Sequence, residues 1–276
     1  MSGTDKVLLG NGQRSSAVAP QIRNPKIEEK STRKLGVPGV GELQIGQVNA
    51  GRARLAMDEL RREAELRGLD VLLIQEPYVR KGRVEGFGRG DNVLVDDRSE
   101  RPLAAIVVLN AELVTFKYCD LCDDCSVVVW VEPNLLVVSG YFKYSDPTAE
   151  HIGRLERIKR RVVERWGQVI VGADVNAKSE LWFSGRTDEK GLSVEEFIGA
   201  NDLYVLNRMS NLTTFENGRF ATNIDVSLGG GGICRCVRDW RILDVVIGSD
   251  HRLITYGVIG SPFNSSSVKK RKKKVC

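Results

Sequence analysis

Two patterns that mark common classes of protein are missing from this sequence. No apolar run approaches the ~18 residues that a membrane-spanning helix needs, and the polar start MSGTDKVLLGNGQRSS has no apolar region of a secretion signal. The glycine run Gly229–Gly232 is not followed by the Lys-Ser/Thr of a nucleotide-binding P-loop, so we interpret it as a flexible connection between strands. We therefore expect no membrane partner, and a protein of the cytosol or nucleus.

Histidine is scarce, with two residues in 276, His151 and His251. A catalytic zinc site built from two or three histidines is disfavoured, because His151 lies at the start of a predicted helix. The cysteine groups CDLCDDC and CRC could together hold zinc, but their spacing is irregular, and reduced thiols are the expectation for an intracellular protein. The six cysteines are Cys119, Cys122, Cys125, Cys234, Cys236 and Cys276.

The sequence is basic, with a formal net charge of +5, which favours a polyanionic partner. Part of the excess lies in the closing run VKKRKKKVC. This run is either a solvated tail or a functional segment, namely a nuclear-import signal or a nucleic-acid contact. The sequence does not decide between these interpretations.

The composition predicts one large folded region with polar ends. Residues 1–40 are rich in Ser, Gly, Pro, Lys and Arg without periodicity, which is typical of a disordered lead-in. Residues 41–260 contain the apolar segments, and 261–276 form a basic tail or linker. With 42% hydrophobic residues the chain can bury a sizeable core.

Apolar periodicity predicts a β-rich domain with three helices. Continuous apolar runs such as LDVLLIQEP, LAAIVVL, SVVVWVE, LLVVSGYF and QVIVGADVNA are typical of strands buried on both faces. Asp146-Pro147 is predicted to cap and open the second helix, which would bury Ile152, Leu155, Val162 and Trp166. Ser193 with Glu196 is predicted to cap the third helix, with Leu192 packed on Phe197.

Polar residues interrupt these apolar runs where the predicted strands end. Sites are often built where strand ends converge on one rim. Carboxylates and amides with one histidine offer oxygen ligands to a hard cation such as Mg²⁺, and metal-assisted cleavage of a phosphate ester fits this inventory best. The set is Asn49, Glu76, Tyr141, Asp174, Asn176, Asp225, Asp250 and His251.

Six motifs also carry a resemblance. QVN, IQEP, SGYF, VGADVNA, NIDVSL and GSDHRLI occur in the order and approximate spacing of the endonuclease/exonuclease/phosphatase superfamily. The segment with LWFSGRTD after VGADVNA is most similar to the endonuclease domains of arthropod, site-specific non-LTR (LINE-type) retrotransposons. The resemblance implies an α+β fold, a two-layer β-sandwich flanked by helices (α/β/β/α).

The resemblance also implies a role for each matching residue. Glu76 corresponds to the principal metal ligand and Asn49 to the amide that supports it, so both are assigned to the metal, Mg²⁺ with Mn²⁺ as a substitute. His251 corresponds to the catalytic histidine and Asp225 to the carboxylate that orients it, which predicts a hydrogen bond between residues 26 positions apart. The other catalytic assignments are Asp174 and Asn176 for the water and phosphate, Tyr141 for the phosphate, and Asp250 for a metal-side or nucleophile-side acid.

DNA contacts are predicted in two polar stretches. VRKGRVEGFGRG follows Glu76 directly, and FENGRFATN resembles a β-hairpin that enters a DNA groove. A solvated loop and an ordinary tight hairpin are the alternative interpretations. The candidate contacts are Arg80, Lys81, Arg83, Arg89, Thr214 and Arg219.

The resulting hypothesis is a Mg²⁺-dependent endodeoxyribonuclease that nicks one strand of double-stranded DNA, leaving a 3′-hydroxyl for target-primed reverse transcription. We expect it to act in the nucleus and to be linked to a reverse transcriptase in a longer protein. The alternatives are an abasic-site repair endonuclease or a phosphatase of the same fold and, in a different class, a non-catalytic DNA-binding module. Target sequence, metal count and oligomeric state do not follow from the sequence.

Overall fold

The structure is a computed structural model that describes residues 42–88 and 90–259. The predicted lead-in 1–40, the basic tail 261–276 and Arg89 lie outside these residues. The domain boundaries therefore stay predictions.

The described residues form sixteen strands and three α-helices, with short 3₁₀ helices between them. In chain order they are β1 (Leu43–Asn49), α1 (Arg54–Arg67), β2 (Val71–Gln75), β3 (Val79–Arg80), β4 (Arg83–Val84), β5 (Asn92–Leu94), β6 (Ala104–Val108), β7 (Thr115–Lys117), β8 (Ser126–Val131), β9 (Leu135–Tyr141), α2 (Thr148–Arg161), β10 (Val169–Asp174), α3 (Glu189–Ala200), β11 (Leu203–Val205), β12 (Phe215–Glu216), β13 (Ala221–Thr222), β14 (Asp225–Gly230), β15 (Val237–Ile242) and β16 (Ile254–Val258).

Two six-stranded sheets pack face to face. The first has the order β15-β16-β1-β2-β6-β5 and the second the order β11-β14-β10-β9-β8-β7. Alternate residues of each strand meet between the sheets, as with Leu73 in β2 and Val129 in β8. Their neighbours Leu72 and Val128 point outward under the helices. Burial on both faces explains the continuous apolar runs.

The helices form the outer layers. Met57 and Leu60 of α1 pack on the outer face of the first sheet. Leu155 of α2 and Phe197 of α3 pack on the outer face of the second. This four-layer arrangement confirms the predicted α/β/β/α sandwich. No helix among the described residues combines the length and the apolar character that crossing a membrane requires.

The predicted start of α2 is wrong. The helix begins at Thr148, Pro147 occupies the N-cap position, and no side chain caps it. Asp146 does not serve as the cap because its carboxylate lies toward the ring of His151, with Oδ2 3.8 Å from Nε2. Of the residues predicted to face inward, Leu155 is buried within the helix, Ile152 is half-buried, and Val162 and Trp166 are buried beyond its end.

The predicted cap of α3 is also wrong. The Asp188 carboxylate accepts a hydrogen bond from Gly191 N at 2.8 Å, so the helix begins at Glu189, several residues before the predicted Ser193. Ser193 lies inside the helix and donates its hydroxyl to the Glu189 carbonyl. Leu192 is 53% exposed and packs on no staple partner among the buried core residues. An aspartate placed earlier in the chain supplied the N-terminal acceptor.

The early start of α3 depends on glycine at 191. A Cβ at this position would lie 1.9 Å from the Lys178 carbonyl oxygen, whereas one at Gly199 in the same helix would meet nothing within 4 Å. Gly191→Ala should therefore destabilise the protein by about 3 kcal/mol, and Gly199→Ala should stabilise it by up to about 1 kcal/mol. Urea unfolding of both variants checks this, and equal effects would contradict the close approach.

Only part of the glycine run 229–232 connects secondary-structure elements. Gly229 and Gly230 are buried residues of β14, which corrects the prediction of a flexible link over the whole run. A Cβ at Gly230 would lie 2.4 Å from the Trp166 carbonyl oxygen, so this strand needs glycine for close packing rather than for flexibility.

Strand direction brings the predicted polar residues to one end of the sandwich. β1 and β2 run parallel, and Asn49 is paired with Gln75 at their ends. β9 and β10 are parallel too, with Tyr141 beside Asp174, and antiparallel β14 places Asp225 on the other side of Asp174. Each sheet therefore delivers its polar residues to the same rim.

Candidate active site

Asp174 lies at the centre of this rim. It is 1% exposed, and its carboxylate accepts hydrogen bonds from Asn49 Nδ2 at 2.8 Å and from the backbone N–H of Asn176 at 3.0 Å. Burial, then the neighbouring Asp225 carboxylate, raises the pKa of Asp174 to about 7. A carboxyl group with such a pKa can exchange a proton near neutral pH.

Glu76 follows the last residue of β2 and turns out of the sheet. Its backbone has φ +43°, an uncommon conformation for a residue with a side chain, held by Glu76 N donating to the Leu103 carbonyl and by Arg52 N donating to the Glu76 carbonyl. The side chain is 17% exposed, and Asn49 Nδ2 lies 3.4 Å from its Oε2. One amide thus connects the carboxylates of Glu76 and Asp174.

His251 and Asp225 form the predicted pair. His251 Nδ1 lies 2.9 and 3.1 Å from the two Asp225 carboxylate oxygens, and Nε2 faces Asp174 Oδ2 at 4.0 Å. The ring packs edge-on against Phe215 at 4.9 Å between centroids. Asp225 therefore fixes one ring nitrogen and leaves the other facing the rim.

The charge state of His251 follows from its neighbours. Burial alone would lower the pKa of this imidazole, but the charge and hydrogen bond of Asp225 outweigh burial and raise it to about 9. The ring is therefore cationic at neutral pH.

This raised pKa predicts a dependence of stability on pH. A histidine whose pKa is higher in the folded chain stabilises it fully below its unfolded pKa of about 6.5, and that contribution is lost as the pH rises through about 9. The free energy of unfolding should fall by up to about 3 kcal/mol across this range, and by less in His251→Asn. Urea unfolding at a series of pH values in EDTA measures it, and parallel curves for the two proteins would contradict it.

Of the other predicted catalytic residues, Tyr141 and Asn176 lie beside the carboxylates of the rim, and Asp250 does not. Tyr141 is half-buried beside the carboxylates, and burial together with Glu76 raises the pKa of its hydroxyl. Asn176 has φ +46° and donates Nδ2 to the Phe142 carbonyl at 2.9 Å, which holds it next to Asp174. Asp250 is exposed, and its carboxylate makes no hydrogen bond within the described chain. Its predicted role gains no support from geometry.

The contacts of Asn49 and Thr214 indicate that these two residues hold neighbouring groups of the site in position. The Asn49 amide nitrogen faces the two carboxylates while its Oδ1 accepts from Gly51 N at 2.8 Å, so in this geometry it orients them as a donor. Thr214 is fully buried, and its Oγ1 accepts from the backbone of Ile224 and Asp225 at 3.1 and 3.2 Å. Their assignments to metal and DNA stay predictions.

The predicted DNA contacts lie on two hairpins. Arg80, Lys81 and Arg83 are exposed on β3 and β4 or on the turn between them. Arg219 is exposed on the turn between β12 and β13, and its backbone N–H is held by Asn217 Oδ1 at 3.2 Å. The Phe215–His251 bridge fastens this second hairpin to the site.

Two residues at the site were missed in the sequence. Arg52 forms an ion pair with Glu76, and Ser249 donates its hydroxyl to the Asn49 carbonyl at 2.7 Å while accepting from His251 N at 3.2 Å. Ser249 therefore couples the end of β1 to the His251 segment. Both residues lie within three positions of a predicted site residue, the one signal that could have pointed to them.

The donor chemistry fits a hard cation. Within residues 42–88 and 90–259, the one group of histidine, cysteine and carboxylate ligands close enough to share an ion is Asp174, Asp225 and His251. Because Asp225 and His251 already bond to each other, we favour the carboxylate of Glu76 as the oxygen donor to a divalent cation.

Cysteine ligation has no support in the described chain. Burial raises the pKa of the Cys122 thiol to about 11 and that of Cys125 to about 12, so both stay protonated. No cysteine among the described residues belongs to a group of ligand atoms close enough to share an ion.

A two-sheet sandwich with acidic, amide and His–Asp groups at one rim is the arrangement expected of the endonuclease/exonuclease/phosphatase class. A family described as endonuclease-reverse transcriptase matches residues 135–255. The chain is 26% identical over 234 residues to the putative 115 kDa protein of the type-1 retrotransposable element R1DM of Drosophila melanogaster, covering 80% of this chain and 22% of that protein. The chain thus spans less than a quarter of that curated relative.

Comparison with solved structures gives the same resemblance. The endonuclease domain of TRAS1, a telomere-specific non-LTR retrotransposon, superposes with a TM-score of 0.71 at 28% identity, covering 78% of this chain and 98% of that one. The AP endonuclease LMAP of Leishmania major has a TM-score of 0.62 at 13% identity, covering 80% and 88%, and shows the fold alone. The predicted resemblance is confirmed, because the chain is similar both to a protein of an R1-type retrotransposable element and to the endonuclease domain of a non-LTR retrotransposon.

Proposed function

We propose that this domain is a Mg²⁺-dependent endonuclease that nicks one strand of double-stranded DNA. The observation that carries the proposal is the arrangement around Asp174, with Asn49 and Glu76 on one side and the Asp225–His251 pair on the other. A site that only bound DNA would need neither the buried carboxylate nor the ordered histidine.

The reaction is hydrolysis of a phosphodiester. Water adds to phosphorus, the P–O3′ bond breaks, and the products are a 3′-hydroxyl and a 5′-phosphate. When bound at Glu76, Mg²⁺, or Mn²⁺ as a substitute, supplies a Lewis acid for the phosphate oxygens. Asp174 would orient the water and accept its proton; its position between Asn49 and His251 and its raised pKa support this role.

His251 supplies positive charge at the same phosphate. Its Nε2 faces the rim, while Asp225 on Nδ1 fixes the orientation of the ring and keeps it cationic. A fixed cation stabilises charge that develops on the phosphate oxygens, which is usually the largest catalytic effect. Tyr141 and Asn176 are placed beside Asp174 as further contacts to that phosphate.

The DNA would lie across the rim between the two hairpins, with Arg80, Lys81 and Arg83 on one and Arg219 on the other. We propose that the nicked 3′-hydroxyl primes reverse transcription of a linked polymerase in the nucleus. The support is the match to an R1-type element and to a family named for endonuclease and reverse transcriptase together.

A supercoiled-plasmid assay tests the proposal. With Mg²⁺ the domain should convert supercoiled to nicked circles, EDTA should stop it, and a DNA polymerase should extend the nicks directly because they carry 3′-hydroxyls. Cleavage confined to a duplex with an abasic site would favour a repair enzyme, and turnover of a soluble phosphomonoester a phosphatase. Salt-dependent DNA binding without any nicking would identify a binding module.

A further inference from the structure

We infer that a cleft beside Glu76 binds a second phosphate of the DNA backbone, with Arg101 and Lys81 as its cationic contacts. The cleft has a volume of about 480 Å³ and is lined by the β3–β4 turn on one side and by Glu100 and Arg101 on the other. This inference rests on the proposed function and adds Arg101, which lies outside both predicted DNA-contact stretches.

The first wall of the cleft is a preformed turn. Lys81 and Gly82 have φ of +51° and +72°, as a two-residue type I′ hairpin requires, and Arg80 pairs with Arg83 across it. The chain then packs onto α1 at Gly86, where a Cβ would lie 2.7 Å from Met57 Cβ. Lys81 is therefore presented by an ordered backbone, so binding orders only its side chain.

The second wall is tied directly to Glu76. Arg101 N donates to Ser99 Oγ at 3.2 Å, and the next residue, Pro102, is buried. Leu103 then accepts from Glu76 N at 2.9 Å and donates to the Asp124 carbonyl at 2.6 Å. The cleft is thus fixed relative to the catalytic rim, as a second contact on the same DNA strand would have to be.

The basic side chains at the cleft form no ion pair with a carboxylate of the described residues. Arg61, Arg67 and Arg154 each lie within 3.3 Å of a carboxylate. In contrast, no carboxylate among the described residues forms an ion pair with the side chains of Arg80, Lys81, Arg83 or Arg101.

One carboxylate, Glu100, also lines the cleft and weakens its pull on a small anion. A nucleic-acid backbone that enters the cleft also passes Arg80 and Arg83 on the same hairpin. The charge pattern therefore favours a polyanion over an isolated phosphate. Because the contact is to a non-scissile phosphate, it contributes affinity and not chemistry.

The test is a salt titration of duplex DNA binding, measured by fluorescence anisotropy in EDTA so that no strand is cut. Arg101→Ala should reduce the slope of log affinity against log salt by about 0.9, and the double variant with Lys81→Ala by about 1.8. Glu100→Gln should tighten binding. In nicking assays with Mg²⁺, Arg101→Ala should raise the DNA concentration needed for the half-maximal rate, and the rate at saturating DNA should fall much less, because the reacting groups are untouched.

The matched control is Arg235→Ala. Arg235 is exposed and precedes β15, at the end of the sandwich opposite Asn49. Equal slopes for Arg101→Ala and Arg235→Ala would overturn the second phosphate site. Wild type that neither binds nor nicks DNA would instead contradict the proposed function.

Discussion

His251→Ala should reduce the nicking rate at saturating DNA by about 10³-fold or more while DNA binding in EDTA stays near the wild-type value. The imidazole is cationic, lies 4.0 Å from Asp174 and faces the rim where charge develops. A positioned group of this kind is typically responsible for about 10²–10⁴-fold of the rate. Single-turnover nicking of a supercoiled plasmid measures the step without interference from product release.

Asp225→Asn separates the two functions of the pair. It keeps the size of the side chain and can still orient the ring, but removes the charge that keeps His251 cationic. We expect a large loss of rate and a fall in the pKa of His251, which NMR titration of the ring protons reports. A purely structural role for Asp225 would leave that pKa unchanged.

The control for loss of a histidine is His151→Asn. His151 is buried on α2 and stacked on Phe142 at 4.6 Å, and burial lowers its pKa to about 4, so it is neutral. Its ring nitrogens lie next to Arg154 and Asp146, neither of which is a residue of the site. This variant should lose stability and keep its specific activity. Full activity in His251→Ala, or equal losses in the two variants, would contradict the assignment.

Strands and strand-end residues could be predicted because one physical cause determines both. A strand covered on both faces must be apolar throughout, so polar residues stand out in the sequence where such a strand ends, as in QVN, IQEP and ADVN. Parallel neighbouring strands then bring these ends together in space. The His251–Asp225 contact was instead predicted from the family resemblance, and it is present at 2.9 Å.

Features that depend on tertiary contacts could not be predicted in this way. α3 starts at Asp188 because Gly191 lets the helix approach the Lys178 carbonyl, a contact that local capping rules do not contain. Asp146 lies toward His151 instead of capping α2. Asp250 belongs to the GSDHRLI motif but is exposed, whereas the adjacent His251 is buried and bonded to Asp225.

Two residues of the site, Glu76 and Asn176, have uncommon backbone conformations, and the geometry of the rim explains why. Glu76 and Asn176 both have positive φ, and both lie one or two positions after a strand that ends at the rim. Such conformations cost about 1–3 kcal/mol each and persist only where surrounding contacts hold them. Here Leu103, Arg52 and Phe142 provide the backbone contacts, so the strain serves to turn each side chain toward Asp174.

Glu76→Gln should reduce Mg²⁺-dependent nicking by about 10²–10³-fold, because several kcal/mol of stabilisation by the ion depends on an anionic ligand. The amide keeps the shape of the side chain and its contact with Asn49, so the fold should be retained. The variant should also need more Mg²⁺ for half-maximal activity, which a metal titration of the nicking rate shows directly.

A binding measurement separates this role from general damage to the rim. Mg²⁺ or Mn²⁺ should raise the melting temperature of wild type, because an ion that binds only the folded chain stabilises it, and should have a much smaller effect on Glu76→Gln. Glu112→Gln, an exposed carboxylate at the opposite end of the sandwich, is the matched control and should behave as wild type in both assays. If Glu76→Gln nicks at the wild-type rate with the same metal requirement, Glu76 is not the ligand, and the carboxylates of Asp174 and Asp225 become the candidates.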